Sequence, residues 1–137
     1  MRLKEIAPVP TEHAEQVALF SWARYSVGRY PELDLLFAIP NAGGFSGGFK
    51  NNARRVQRLI DEGLKPGMPD TCLPVSRGGF HSLYVELKRR RGGSVKESQH
   101  DVKAALEAAG NKVVICKGWE EARAAILDYL ALEGGAE

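Results

Sequence analysis

Pro69-Asp70-Thr71-Cys72-Leu73 and Leu83-Tyr84-Val85-Glu86-Leu87-Lys88 carry the pattern of two neighbouring strands around which the rest of the chain is arranged. Both are apolar-leaning, and Ser76-Arg77-Gly78-Gly79 between them is a turn sequence suited to a hairpin. The spacing predicts antiparallel strands over 71–75 and 82–88. Strand alternation puts Val85 and Leu87 on one face and Tyr84, Glu86 and Lys88 on the other. Lys65-Pro66-Gly67-Met68-Pro69 forms turns, so Asp70 opens its strand. If the two strands pair, Asp70, Glu86 and Lys88 converge at one end of the sheet.

Working upstream, Thr11 is a suitable N-cap for a helix over 12–29, which Tyr30-Pro31 ends. The continuous apolar run Leu35-Leu36-Phe37-Ala38-Ile39, bounded by Pro40, predicts a buried strand. A glycine-rich loop follows, then a helix over 51–62 with Gly63 at its C-cap. Downstream, a helix over 95–109 leads to the β-branched strand 112–116 and a last helix over 119–132. Residues 1–10 read as a loose arm and 133–137 as a frayed tail. The order is helix, strand, helix, strand, strand, helix, strand, helix. Its strand–helix–strand step implies a right-handed crossover and a parallel pair. The fold class is therefore α/β, a mixed four-stranded sheet flanked by helices in a single domain spanning 1–137.

A chain of 137 residues is the size of one domain, and 44% apolar with 26% charged composition argues against disorder. No apolar run approaches a membrane span, and the N-terminus lacks the apolar core of a secretion signal. Cys72 and Cys116 lie in separate predicted strands, which fits a reduced, cytoplasmic protein. Two cysteines and three histidines so scattered do not make a structural zinc site. The net charge of +2 is uninformative, but its distribution is not. Lys50, Arg54, Arg55 and Arg58 cluster, and Lys88-Arg89-Arg90-Arg91 is a basic run. Such patches suit a phosphate backbone, the alternative being a solvated face.

Hard cations prefer carboxylate and carbonyl oxygens, and phosphodiester cleavage uses them to activate water. Glu86, set in an apolar run, needs a partner, which a metal and Lys88 would supply. Lys88 is either a counter-ion or the group that orients the attacking water. Asp70 is either a ligand or a cap of its own turn. Glu12 and Gln16 share a helix face with Leu19 and Ala23, so Glu12 is either a ligand on a core-facing stripe or a complement to the helix dipole. Glu15 takes its place if the buried face is one residue over. Gln99, near the start of its helix, is placed to reach back over the strand end. In the loop from Asn41 to Phe49, Gly43 and Gly44 permit close approach to phosphates. No lysine-serine pair follows, which excludes a nucleotide P-loop. Phe45 and Phe49 are suited to stacking on bases. His13, His81 and His100 show no ligand spacing, and Trp22 and Trp119 read as core.

Pro69-Asp70 followed by Glu86-Leu87-Lys88 resembles the signature of the PD-(D/E)xK nucleases. The chain also resembles their VRR-Nuc branch along nearly its whole length. The matching segments run from Glu12-x-x-x-Gln16 through Pro40-Asn41-Ala42-Gly43-Gly44 and residues 63–70 to Tyr84-Val85-Glu86-Leu87-Lys88. The helix of Gln99, the turn at Gly110 and the last strand and helix complete the series. This resemblance implies a restriction-endonuclease-like fold and a metal-dependent, structure-selective DNA endonuclease. It implies that Glu12, Asp70, Glu86 and the backbone carbonyl of Leu87 bind Mg²⁺ or Mn²⁺, that Lys88 is catalytic, and that Gln99 supports the site. Nucleic acid would meet Asn41, Gly43, Gly44, Lys50, Arg54, Arg55, Arg58, Arg89 and Arg90. Small members of this kind, typical of bacteria and phages, act as homodimers on branched DNA such as Holliday junctions. One departure is that valine, not arginine, precedes Glu86, which leaves subfamily placement open. Two other readings stand beside this one: a non-catalytic nucleic-acid-binding protein, and a restriction-type nuclease. So short a chain leaves the restriction-type nuclease little room for a base-reading element.

Overall fold

The computed structural model describes residues 8–41 and 49–134 and, in the helix beginning at Phe49, side chains from Asn52 onward. Helix α1 spans Glu12–Ser26, and Thr11 Oγ1 caps it by accepting the Ala14 N–H at 3.0 Å. A 3-10 turn, Pro31–Leu35, leads into strand β1, Phe37–Ala38. Then come α2 (Phe49–Asp61), β2 (Thr71–Leu73), β3 (Leu83–Lys88), α3 (Glu97–Ala108), β4 (Lys112–Lys117) and α4 (Trp119–Leu130). Apart from the added 3-10 turn, the element order is the predicted one.

The run 35–39 is not the buried strand its composition predicts. Leu35 and Phe37 are 54% and 47% exposed, while Leu33 and Leu36 are buried. Pro31 starts a 3-10 turn, whose three-residue repeat sends Leu33 and Leu36 to the same side. A continuous apolar run carries no period of its own, so this competing repeat wins and shortens β1 to two residues.

The strands lie in the order β1-β2-β3-β4, antiparallel at the first two pairings and parallel at the third. In the β2–β3 connection, Gly78 (φ +59°) and Gly79 (φ +86°) both take positive φ, the requirement of a type I′ hairpin turn. Arg77 and Phe80 close it through two backbone hydrogen bonds of 3.2 and 2.8 Å. Strand β3 is central. Val85 and Leu87 face a core built with Leu19 and Ala23 of α1 and Ala122, Ile126 and Tyr129 of α4. The opposite face, carrying Glu86, looks toward Gln99 and Lys103 of α3. The sheet is thus covered on both sides.

The described residues next to both ends make backbone contacts. Gly78 N–H donates to the Glu133 carbonyl at 2.9 Å and Gly134 pairs with Arg77, so the expected frayed tail is tied down at 133–134. In the N-terminal arm, the Val9 and Pro10 carbonyls accept from the Arg89 guanidinium at 3.1 and 3.4 Å. Cys72 and Cys116 are buried free thiols, and burial pushes Cys116 up to about 11. Among the described residues no helix is long and apolar enough to cross a membrane.

Candidate active site

Asp70 stands where β2 begins, and its side chain continues the pairing of β2 with β3. Its Oδ2 accepts the Leu87 N–H at 2.7 Å, and Asn41 Nδ2 donates to its Oδ1 at 3.5 Å. Because a strand residue points its N–H and C=O to the same flank, the Leu87 carbonyl also faces the Asp70 side. A backbone oxygen and a carboxylate are thus presented on the same flank of β3.

Glu86 is 4% exposed, and its carboxyl lies in hydrogen-bond contact with Asp70. Burial, followed by the bond to Asp70 and its charge, pushes Glu86 up to about 9 against the pull of Lys88. Without a cation, Glu86 therefore keeps its proton at neutral pH. Lys88 Nζ lies 3.9 Å from Glu86 Oε1 and donates to Gln99 Oε1 at 3.0 Å. The same oxygen accepts the Lys96 N–H at 2.9 Å, so Gln99 both closes the first turn of α3 and aims Lys88. The expectation that Gln99 reaches back over the strand end describes this contact.

Asp70, Glu86, Lys88 and Gln99 line an open cavity of about 400 Å³, and Glu12, Asn41 and Arg89 line it too. Glu12 is there for a different reason from the one its spacing suggested. The buried stripe of α1 is Glu15, Leu19 and Ala23, and Glu12 sits exposed at the helix start on the cavity rim. Glu15 is the core-facing glutamate, yet it is not at the cavity. Its carboxylate takes Arg90 Nε at 2.9 Å and the Trp119 N–H at 3.4 Å.

That pairing gives Arg90, expected as a nucleic-acid contact, a structural task as well. Its guanidinium is committed to Glu15 and, at 3.3 Å, to Glu120, joining β3 to α1 and α4. Arg90→Ala is therefore expected to lower the thermal midpoint by stranding the buried Glu15, and to leave the salt dependence of DNA binding nearly unchanged. Unfolding curves and a salt titration of binding check both halves.

Arg54, Arg55 and Arg58 are exposed on α2, whose end leads to Leu64 and Lys65 at the cavity. Gly43, Gly44, Phe45 and the side chains of Phe49 and Lys50 lie outside the described residues. Two cavity cations, Lys65 and Lys96, carry no sequence pattern that marks them, since one sits in a turn and the other precedes a helix.

Among the described residues no three of His, Cys, Asp and Glu stand close enough to enclose an ion by themselves. Mg²⁺ needs less, since it keeps several waters and takes one or two carboxylates. The Asp70–Glu86 pair with the Leu87 carbonyl fits that donor set. A buried carboxyl held far from its ordinary ionisation is what a cation would relieve.

Gly67 locks the cavity wall. It takes φ +88°, and a Cβ there would stand 2.6 Å from the Ser98 carbonyl oxygen, in the first turn of α3. Gly67→Ala is expected to cost about 1–3 kcal/mol in backbone strain alone and to displace Gln99 from Lys88. Urea unfolding measures the first effect and the activity of the folded variant the second.

No family model matches the chain, and no curated protein matches it in sequence. Among solved structures, a protein described as "VRR_NUC domain protein" superposes with a TM-score of 0.77. The alignment covers 95% of this chain and 96% of that one, at 20% sequence identity. The chain has the VRR-Nuc fold.

Proposed function

We propose that a chain with this fold and this cavity is a metal-dependent endonuclease that hydrolyses phosphodiester bonds in DNA, selecting branched structures such as Holliday junctions. The observation that carries the reading is the buried Asp70–Glu86 pair beside an aimed lysine. Asp70, Glu86 and the Leu87 carbonyl would hold Mg²⁺ or Mn²⁺, with Glu12 at the rim. Such an ion, when bound, supplies Lewis-acid polarisation of the phosphate and makes water a stronger nucleophile. Lys88, positioned by Gln99, orients the attacking water and offsets charge growing on the phosphate oxygens. Arg54, Arg58 and Arg89 attract the flanking backbone.

Among the described residues one chain offers one such cavity and hence one incision. Symmetric resolution of a four-way junction needs two, which a homodimer with a two-fold axis would provide. A protein that merely bound nucleic acid would have no use for a Glu86 carboxyl whose burial disfavours its charge, and this argues against the non-catalytic reading.

Incubating the protein with four-way junction, fork, flap and linear duplex tests the reading. The expected result is cleavage with Mg²⁺ or Mn²⁺, preferring the junction, and none with a chelator present. Absence of metal-dependent cleavage across all four substrates would overturn it.

A further inference from the structure

Besides Arg89, which is bonded to the Val9 and Pro10 carbonyls, the cavity holds two cations that the proposed metal site does not use. Lys65, in the turn before Asp70, and Lys96, immediately before α3, both line it. Among the described residues neither ammonium has a carboxylate within ion-pair distance, whereas Lys88 and Arg90 are committed to Glu86, Glu15 and Glu120. The segments carrying the two lysines are fixed against each other. Gly67 packs its backbone onto Ser98 so closely that a Cβ would stand 2.6 Å from the carbonyl oxygen. Backbone contact therefore fixes the two segments that bring these lysines to one cavity.

A single phosphate is poorly matched to this arrangement, because the lysines attract it while the carboxylates of Asp70 and Glu12 repel it. A polynucleotide satisfies both regions at once, with one phosphate over the carboxylate site and the next at the lysines. We propose that Lys65 and Lys96 form a second phosphate subsite, holding the backbone phosphate adjacent to the scissile one. This rests on the nuclease reading and deepens it: the substrate must be a chain of phosphodiesters, and these two residues position it.

The test compares K65Q/K96Q with K65R/K96R and the wild type, each confirmed folded by its thermal midpoint. The readout is the ratio of kcat/KM on junction DNA to kcat/KM on bis(p-nitrophenyl) phosphate, a diester with one phosphate, both with Mn²⁺. In K65Q/K96Q the ratio is expected to fall about ten-fold, mostly through KM on DNA, and the salt slope of DNA binding to shrink by about one unit. K65R/K96R should restore both, since arginine keeps the charge. An unchanged ratio in K65Q/K96Q, with an active wild type, overturns the subsite alone. A wild type that hydrolyses neither substrate overturns the nuclease reading and the subsite with it.

Discussion

Lys88→Ala is expected to slow junction cleavage by about 10³-fold while leaving junction binding largely intact, the size of loss seen when a preorganised charge is removed from a reacting centre. The residue is 7% exposed, lies 3.9 Å from Glu86 and is held by Gln99, so its ammonium has little freedom to wander. Its surroundings make it a group aimed at the cavity rather than a surface counter-ion. Gln99→Ala should cost less than Lys88→Ala, because the lysine survives but loses its aim. The comparison needs single-turnover rates at saturating protein, which separate chemistry from binding. Cleavage by Lys88→Ala at the wild-type rate would show that the lysine only balances Glu86.

Glu86→Gln should abolish cleavage and yet stabilise the metal-free protein, by an amount that grows with pH. The folded protein holds Glu86 at about 9 against an ordinary 4.5. Between those values the native state keeps a proton that the unfolded chain releases, so the contribution of Glu86 to stability is full below about 4.5 and is lost as pH rises through about 9. Glutamine does not titrate, and the gap between variant and wild type should open across that window. Mg²⁺ should close part of the gap by stabilising the wild type only, since binding to the native state adds to its stability. Thermal midpoints at acidic and alkaline pH, with and without Mg²⁺, give all four values. A variant less stable than the wild type at alkaline pH would mean that Glu86 is a structural acid, not one held ready for a cation. Such gains on removing a functional group are the usual sign of stability given up for activity.

The convergence of Asp70, Glu86 and Lys88 was legible because these residues follow local rules. Strand alternation put Glu86 and Lys88 on one face, the turn before Asp70 fixed where its strand begins, and the Gly78-Gly79 turn dictated the antiparallel pairing. The choice between Glu12 and Glu15 was not legible. Positions three and four apart make neighbouring stripes on a helix, and only the contact between Glu15 and Arg90, 75 residues apart, decides which is buried. The same long-range contact hid the task of Arg90, which in sequence is one more arginine in a basic run. The first strand was misread because an unbroken apolar run has no period, and Pro31 supplied one. Lys65 and Lys96 were invisible because their shared wall exists only where Gly67 meets Ser98.

Calorimetric titration of Mg²⁺ into the metal-free protein at neutral pH, in two buffers of different ionisation enthalpy, tests the central claim most directly. If a cation displaces the proton that Glu86 holds, binding will saturate with proton release into the buffer, and both signals will vanish in Glu86→Gln. A wild type that takes up no Mg²⁺, or a Glu86→Gln variant that binds it equally well, would contradict the assignment of this pair as the metal site.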